Sequence, residues 1–187
     1  MVFPNPQRGP SLPFCLIASL CASAAHARQS PPQPTSTPNN ARAVFMDRDG
    51  KTPGTATQID TPNGVFISAE LSKLPPSVHG FHIHQTGKCD PATGFEPAGG
   101  HYHPRGAKHG FAVEGGPHAG DMPNQSVKQG GTLKAEVFNT YVRFTVSDAP
   151  LFDQDSSAHV VHATADDYRS QSSGNAGERL ACAVIQR

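Results

Sequence analysis

In Gly80-Phe81-His82-Ile83-His84 two histidines alternate with two large apolar residues, which is the period of a strand and not of a helix. Side chains two apart on a strand share a face, roughly 6.5 to 7 Å from one another. Both imidazoles can therefore converge on one ion while Phe81 and Ile83 enter a core behind them. A lone His-x-His is weak, since a polar face of an exposed strand looks the same. Here nine of the ten histidines fall between His79 and His162. In that stretch His82, His84, His101, His109, His118, Asp121 and His162 have the chemistry and spacing of metal ligands. They are too many for one tetrahedral site, so the arithmetic points to two metals sharing a ligand.

The rest of the chain reads as strands and turns. Val65, Ile67, Ala69 and Leu71 alternate with Phe66, Ser68 and Glu70, and Val142, Phe144 and Val146 alternate with Arg143 and Thr145. Asp49-Gly50 and Asn63-Gly64 supply tight hairpin turns. With 18 Gly, 18 Pro and no long stretch of helical periodicity, an all-β antiparallel sandwich or barrel with long loops is expected. The longest loop runs from about Gln85 to Ser126 and has little apolar content of its own. Metal coordination would order it, coupling folding to metal loading.

Residues 1–27 differ in kind from the rest. Arg8 is their only charge, Leu12 to Ala25 is mostly apolar and small, and Ala25-His26-Ala27 fits a small-x-small cleavage site. A secretory signal peptide is expected, despite its weakly basic start and its prolines. The apolar run is short for a membrane span, so no membrane attachment is expected after cleavage. Residues 28–40, with Pro31, Pro32, Pro34 and Pro38, read as a flexible tether. Residues 41–187 are ordinary for one domain. Cleavage leaves Lys+Arg one short of the 15 Asp+Glu, a balance that recruits neither nucleic acid nor anionic lipid. It also leaves two cysteines, Cys89 and Cys182, in a chain sent to an oxidising compartment. Their single possible pairing would close a loop of roughly 94 residues, contributing about 4 to 5 kcal/mol in the chain-entropy model.

Further motifs follow in order: Gly99-Gly100-His101, His109-Gly110, His118-Ala119-Gly120-Asp121, Val160-Val161-His162, Asp166-Asp167-Tyr168, and Gly174-Asn175-Ala176-Gly177-Glu178-Arg179-Leu180-Ala181-Cys182. With these the chain, over essentially all of 41–187, resembles the copper/zinc superoxide dismutase family in its bacterial secreted form. The resemblance implies an eight-stranded Greek-key β-barrel or sandwich with long metal-binding and electrostatic loops. It implies copper on His82, His84, His101 and His162, zinc on His101, His109, His118 and Asp121, and His101 bridging the two. The all-histidine set suits copper; three histidines and a carboxylate suit structural zinc. The implied reaction turns superoxide into oxygen and hydrogen peroxide in the periplasm or outside the cell, with His101 handing on a proton. Arg179 matches the family's anion-guiding arginine, and its fork suits a diatomic anion. Asp166 matches a carboxylate that orients one histidine of each metal site. A homodimer and a monomer are both compatible with the resemblance.

Three histidines are left over. His79 matches a structural histidine of the family and is expected to be satisfied by hydrogen bonds. His103 departs from the family, where Asn or Asp is usual, and is not assigned to metal. His159 falls on the opposite strand face from His162, so a solvent or loop role is expected. Ala183 stands where the family usually has glycine, a change that removes no ligand. A protein of the same fold that binds metal without turnover is the chief rival. A zinc hydrolase would need an open zinc position, and no His-Glu-x-x-His occurs.

Overall fold

The computed structural model describes Val2 and residues 39–187. Apart from Val2, the expected leader (1–27) lies outside the described residues, as does nearly all of the expected tether (28–40).

Strand β1 (Asn40–Asp47) buries Ala41, Ala43 and Phe45 and exposes Arg42, Val44 and Met46, the alternation of a sheet with one wet face. The Asp49-Gly50 turn carries it into β2 (Gly54–Thr61), with Gly50 at φ 76° and its N–H bonded to Asp47 O at 3.0 Å. The turn at Asn63 then leads into β3 (Gly64–Leu71), which buries Val65, Ile67, Ala69 and Leu71 as their alternation requires. β4 (Val78–His79), β5 (Phe81–His84), β6 (Gln125–Ser126), β7 (Leu133–Asn139), β8 (Ala158–His162) and β9 (Arg179–Gln186) complete the set. Seven strands form one curled antiparallel sheet in the order β5-β8-β9-β1-β2-β3-β7, and β4 pairs with β6 in a short separate ribbon. Inside the curl lie Phe45, Ile67, Leu71, Phe81, Ile83, Leu133, Leu151 and Ile185, all 1% exposed or less. Burying each such side chain contributes about 1.5 to 3 kcal/mol.

Two expectations need correction. The alternating segment at 142–146 is not a strand: it forms only an isolated bridge between Arg143 and Pro150. Val142 and Phe144 are buried while Val146 is 87% exposed. The segment folds back on itself through Arg143 N–H to Ala149 O and Phe152 N–H to Phe144 O, so its apolar residues anchor a loop. His159 is not at the solvent either. Its register partner is Ile83, which puts it inside the curl, fully buried, with its ring 5.3 Å from that of Phe81. Gln58 Nε2 lies 2.8 Å from His159 Nε2. The alternation argument gave the correct side of the strand, but that side is the core.

β5 and β8 are buried on both faces. Part of the long loop supplies the second cover: Phe95 and Ala98, fully buried, pack with Ala158, Val160 and Cys182 in an apolar cluster separate from the main core. The Cys89–Cys182 disulfide spans the same place, with Cα atoms 5.7 Å apart. The loop thus has a small apolar plug as well as polar ligands.

Candidate metal centre

On β5 the side chains alternate as the sequence required, and Phe81 and Ile83 belong to the core. His82 and His84 point the other way. His162 ends β8 at a register irregularity after Val161, and an isolated bridge places His101 opposite His84. His82, His84, His101 and His162 thereby offer one ring nitrogen each within 4.8 Å of one another, all four buried. His84 Nε2 and His162 Nε2 face each other at 3.2 Å. His82 Nδ1 and His101 Nε2 are buried with no hydrogen-bond partner.

The other nitrogen of His101 belongs to a second buried nest formed with His109, His118 and Asp121. Asp121 Oδ1 lies 2.8 Å from His101 Nδ1, 3.0 Å from His109 Nδ1 and 3.5 Å from His118 Nδ1. Its Oδ2 is held in place by the N–H groups of Gly110 and His118, at 2.9 and 3.0 Å. Unpartnered buried nitrogens are costly, and here they converge in two four-donor sets, the second of which adds an anionic oxygen. The residues therefore fit a pair of cations joined by one imidazole.

The protonation states of His84, His101, His162 and Asp121 agree with that fit, and His109 is the exception, a ring that must give up a proton before it can ligate. Burial pulls His101 down to about 4 and His162 to about 2, and sets His84 well below its usual value, so these rings are neutral bases at neutral pH. Burial works to raise Asp121, but hydrogen bonds from His101 and His109 and from the Gly110 N–H outweigh it and keep the carboxyl far below the usual carboxylate range. Burial opposes charging of His109, yet its bonds to Asp121 and Asp166 carry it up to about 9.

Asp166 ties the nests together. Its Oδ2 lies 2.9 Å from His82 Nε2 and its Oδ1 3.0 Å from His109 Nε2, so one carboxylate orients a histidine from each set. Burial would raise this carboxyl, but the bonds from His109 and His82 hold it well below the normal range. Gly174 sits against this carboxylate at φ 65°, where a Cβ would collide with Asp166 Oδ1.

Arg179, at the start of β9, donates Nη1 to Phe95 O and Nη2 to Gly99 O, the latter at 2.6 Å. Gly99 O also accepts from His84 Nδ1 at 2.9 Å, so the arginine and one histidine share an anchor on the disulfide loop. A cavity of about 390 Å³ opens over the first nest, lined by His84, His101, His103, His118, His162 and Arg179 among others.

Several supports were not foreseen. The Asn124 side chain accepts from Asp166 N–H at 2.8 Å and donates to Asp166 O at 2.9 Å. The Gln171 amide does the same for the backbone of His109, at 2.9 Å each way. Both pairings join loops far apart in sequence, and an isolated Asn or Gln carries no local signal of such a partner. His79 behaves as expected: it is fully buried, with its ring nitrogens 2.7 and 2.8 Å from the carbonyl oxygens of His162 and Pro75.

A curled antiparallel sheet carrying two adjacent four-donor nests that share one imidazole defines the class, a β protein built around a pair of metal ions. The copper/zinc superoxide dismutase family model matches residues 52–185, and the chain belongs to that family. It is 41% identical over 148 residues to "Superoxide dismutase [Cu-Zn] 2" of Aquifex aeolicus, covering 78% of this chain and 86% of the relative. It is 36% identical over 150 residues to "Superoxide dismutase [Cu-Zn]" of Caulobacter vibrioides, covering 79% and 86%. Among solved structures, a SOD-like protein from Bacillus subtilis superposes with a TM-score of 0.72 at 34% identity, over 76% of this chain and 95% of that one. Cu/Zn superoxide dismutase from Brucella abortus superposes with a TM-score of 0.63 at 27% identity, over 79% and 99%.

Proposed function

We propose that this protein disproportionates superoxide, with copper held by His82, His84, His101 and His162 and zinc by His101, His109, His118 and Asp121. The observation that carries the reading is His101, whose two ring nitrogens belong to two separate buried donor sets. Bound copper supplies one-electron redox chemistry, so that two superoxide ions and two protons become one oxygen and one hydrogen peroxide, while zinc fills a closed tetrahedral site.

The chain's own groups do the rest. Arg179 presents a permanent positive charge to the cavity, and its bonds to Phe95 O and Gly99 O fix the guanidinium where a diatomic anion entering beside His84 and His162 meets it. His101 Nε2, which faces the first nest without a protein partner, is the atom placed to carry a proton to the departing peroxide. Asp166 orients His82 and His109 together, so a disturbance in one nest is felt in the other. The same reading places the mature protein in the periplasm or outside the cell, after removal of residues 1–27. A metal-binding relative without turnover is the weaker reading, because both donor sets and Arg179 are intact in this chain.

Metal analysis of the mature protein alongside a superoxide disproportionation assay tests this, with His162→Ala as the comparison. About one copper and one zinc per chain are expected. The variant is expected to lose copper and fall to background activity while keeping zinc and its strand content. A fully loaded protein that leaves superoxide untouched, or an equally active His162→Ala, overturns the proposal.

A further inference from the structure

Metal-ligating histidines almost always have their outer ring nitrogen held by a carboxylate or a carbonyl. Four of the candidate ligands obey this rule: His82 and His109 through Asp166, His84 through Gly99 O, and His162 through Gly177 O at 3.3 Å. His101 uses both nitrogens inward. His118 is the exception, for among the described residues no protein group holds its Nε2. Instead the ring of His103 lies against it almost parallel, with centroids 4.7 Å apart and planes inclined by 26°. His103 is itself held from the other half of the centre, since Gln85 Nε2 lies 3.1 Å from His103 Nε2. Gln85 directly follows His84 on the chain and is fixed by its N–H to Gly100 O at 3.0 Å.

We propose that His103 is a positioning residue for the zinc ligand His118, holding that ring by stacking where the other ligands are held by hydrogen bonds. This inference rests on the metal assignment made above. The resulting chain from His84 through Gln85 and His103 to His118 is a third link between the two nests, beside the shared His101 and the carboxylate of Asp166. Stacked aromatic planes at this distance resist rotation about the outer side-chain torsion. His103 therefore keeps His118 Nδ1 aimed at Asp121 Oδ1, 3.5 Å away and the longest of that nest's three contacts to this oxygen. A small residue at position 103 would leave His118 free to swing into the cavity that both rings line.

The test measures zinc affinity by chelator competition, and the visible spectrum of cobalt(II) placed in the zinc site, for the full mature protein and three variants. His103→Ala is expected to weaken zinc by on the order of 10-fold and to shift the cobalt bands. His103→Phe, which keeps a ring but no nitrogen, is expected to restore most of the affinity and the native spectrum. Gln85→Ala should weaken zinc by a few-fold in the same direction. An unchanged affinity and spectrum in His103→Ala, or a His103→Phe that behaves like the alanine variant, overturns the inference. Failure of the unmutated protein to take up zinc would instead sink the metal assignment itself, so the two failures are distinguishable.

Discussion

The strands β1, β2, β3 and β7 and the long segments 85–124 and 163–178 are held together in opposite ways. The strands alternate buried Ala, Val, Ile, Leu and Phe with more exposed residues, some polar and some apolar such as Val44 and Phe138, and their backbone bonds close on one another in register. The long segments contribute fewer apolar anchors: Phe95 and Ala98 form the plug, and Tyr102, Ala119 and Met122 reach into the main core. Their order otherwise depends on buried histidines and carboxylates that would each be costly alone. The sheet can thus form from apolar burial before any ligand arrives, while the loops need their polar groups to find one another and a cation.

The disulfide is the covalent joint between the two regions, and breaking it has the largest expected effect of any single bond at neutral pH. Cys89 belongs to the loop and Cys182 to β9, 93 positions apart. In the chain-entropy model, releasing a loop of that length costs about 4 to 5 kcal/mol. The double variant Cys89→Ser, Cys182→Ser, measured by denaturant unfolding, is expected to lose about that much. The loop should become the first site of proteolysis. A loss below about 1 kcal/mol would mean that the plug of Phe95 and Ala98 fastens the loop unaided.

Acid should separate the regions next. In protein stripped of metal by chelation, His84, His101 and His162 have folded values below the ordinary 6.5, the last two at about 4 and about 2. The unfolded chain then binds more protons than the folded one below pH 6.5. The stability these groups contribute is present above that pH and is lost as pH falls toward their folded values, at up to about 1.4 kcal/mol per pH unit for each. His109 has the opposite sign: raised to about 9, it stabilises fully below 6.5 and its contribution is lost as pH climbs through 9. Inside the curled sheet, among the described residues, His159, lowered by burial to about 3, is the one group that adds to the acid loss. Melting temperatures of stripped protein should therefore fall between pH 6.5 and 4.5. A flat or rising profile over that range contradicts the burial-driven neutrality of the three ligands.

How much of this could be read from the sequence follows the same division. Strand faces were legible wherever a period of two ran through enough residues, as at Val65 to Leu71. His82 and His84 could be placed on one face by the same rule. The donors that the fold gathers into two nests, the disulfide pair and the Asp166 contacts were legible because their chemistry is specific even when their partners are far away. Val142 to Val146 misled because alternation reports which side chains are buried and not whether a neighbouring strand is there to pair. His159 misled because alternation gives a side of the strand without saying which side is the core. Asn124, Gln171 and the stack of His103 on His118 were illegible for a different reason: the first two join separate loops and the third joins two bends of one loop, so their geometry exists only once those segments are folded.

The barrel has one buried polar pair of its own, and it gives the finest test of the comparison. Gln58 and His159 meet at 2.8 Å in the core, with Gln58 Oε1 and His159 Nδ1 left unpartnered. Nothing else ties this pair to the metal centre, so its polarity should be dispensable in a way the ligands' polarity is not. Removing one partner strands the other and is expected to cost about 1 to 3 kcal/mol, whereas replacing both with apolar residues of similar size removes the desolvation penalty along with the bond. Gln58→Leu and His159→Leu should each destabilise. The double variant should return to within about 1 kcal/mol of the parent, a coupling that a double-mutant cycle reads directly. Metal content and dismutation should stay at the parent's level in the double variant. If the two costs simply add, the pair is part of what holds the sheet together, and the line drawn here between an apolar framework and polar loops is misplaced.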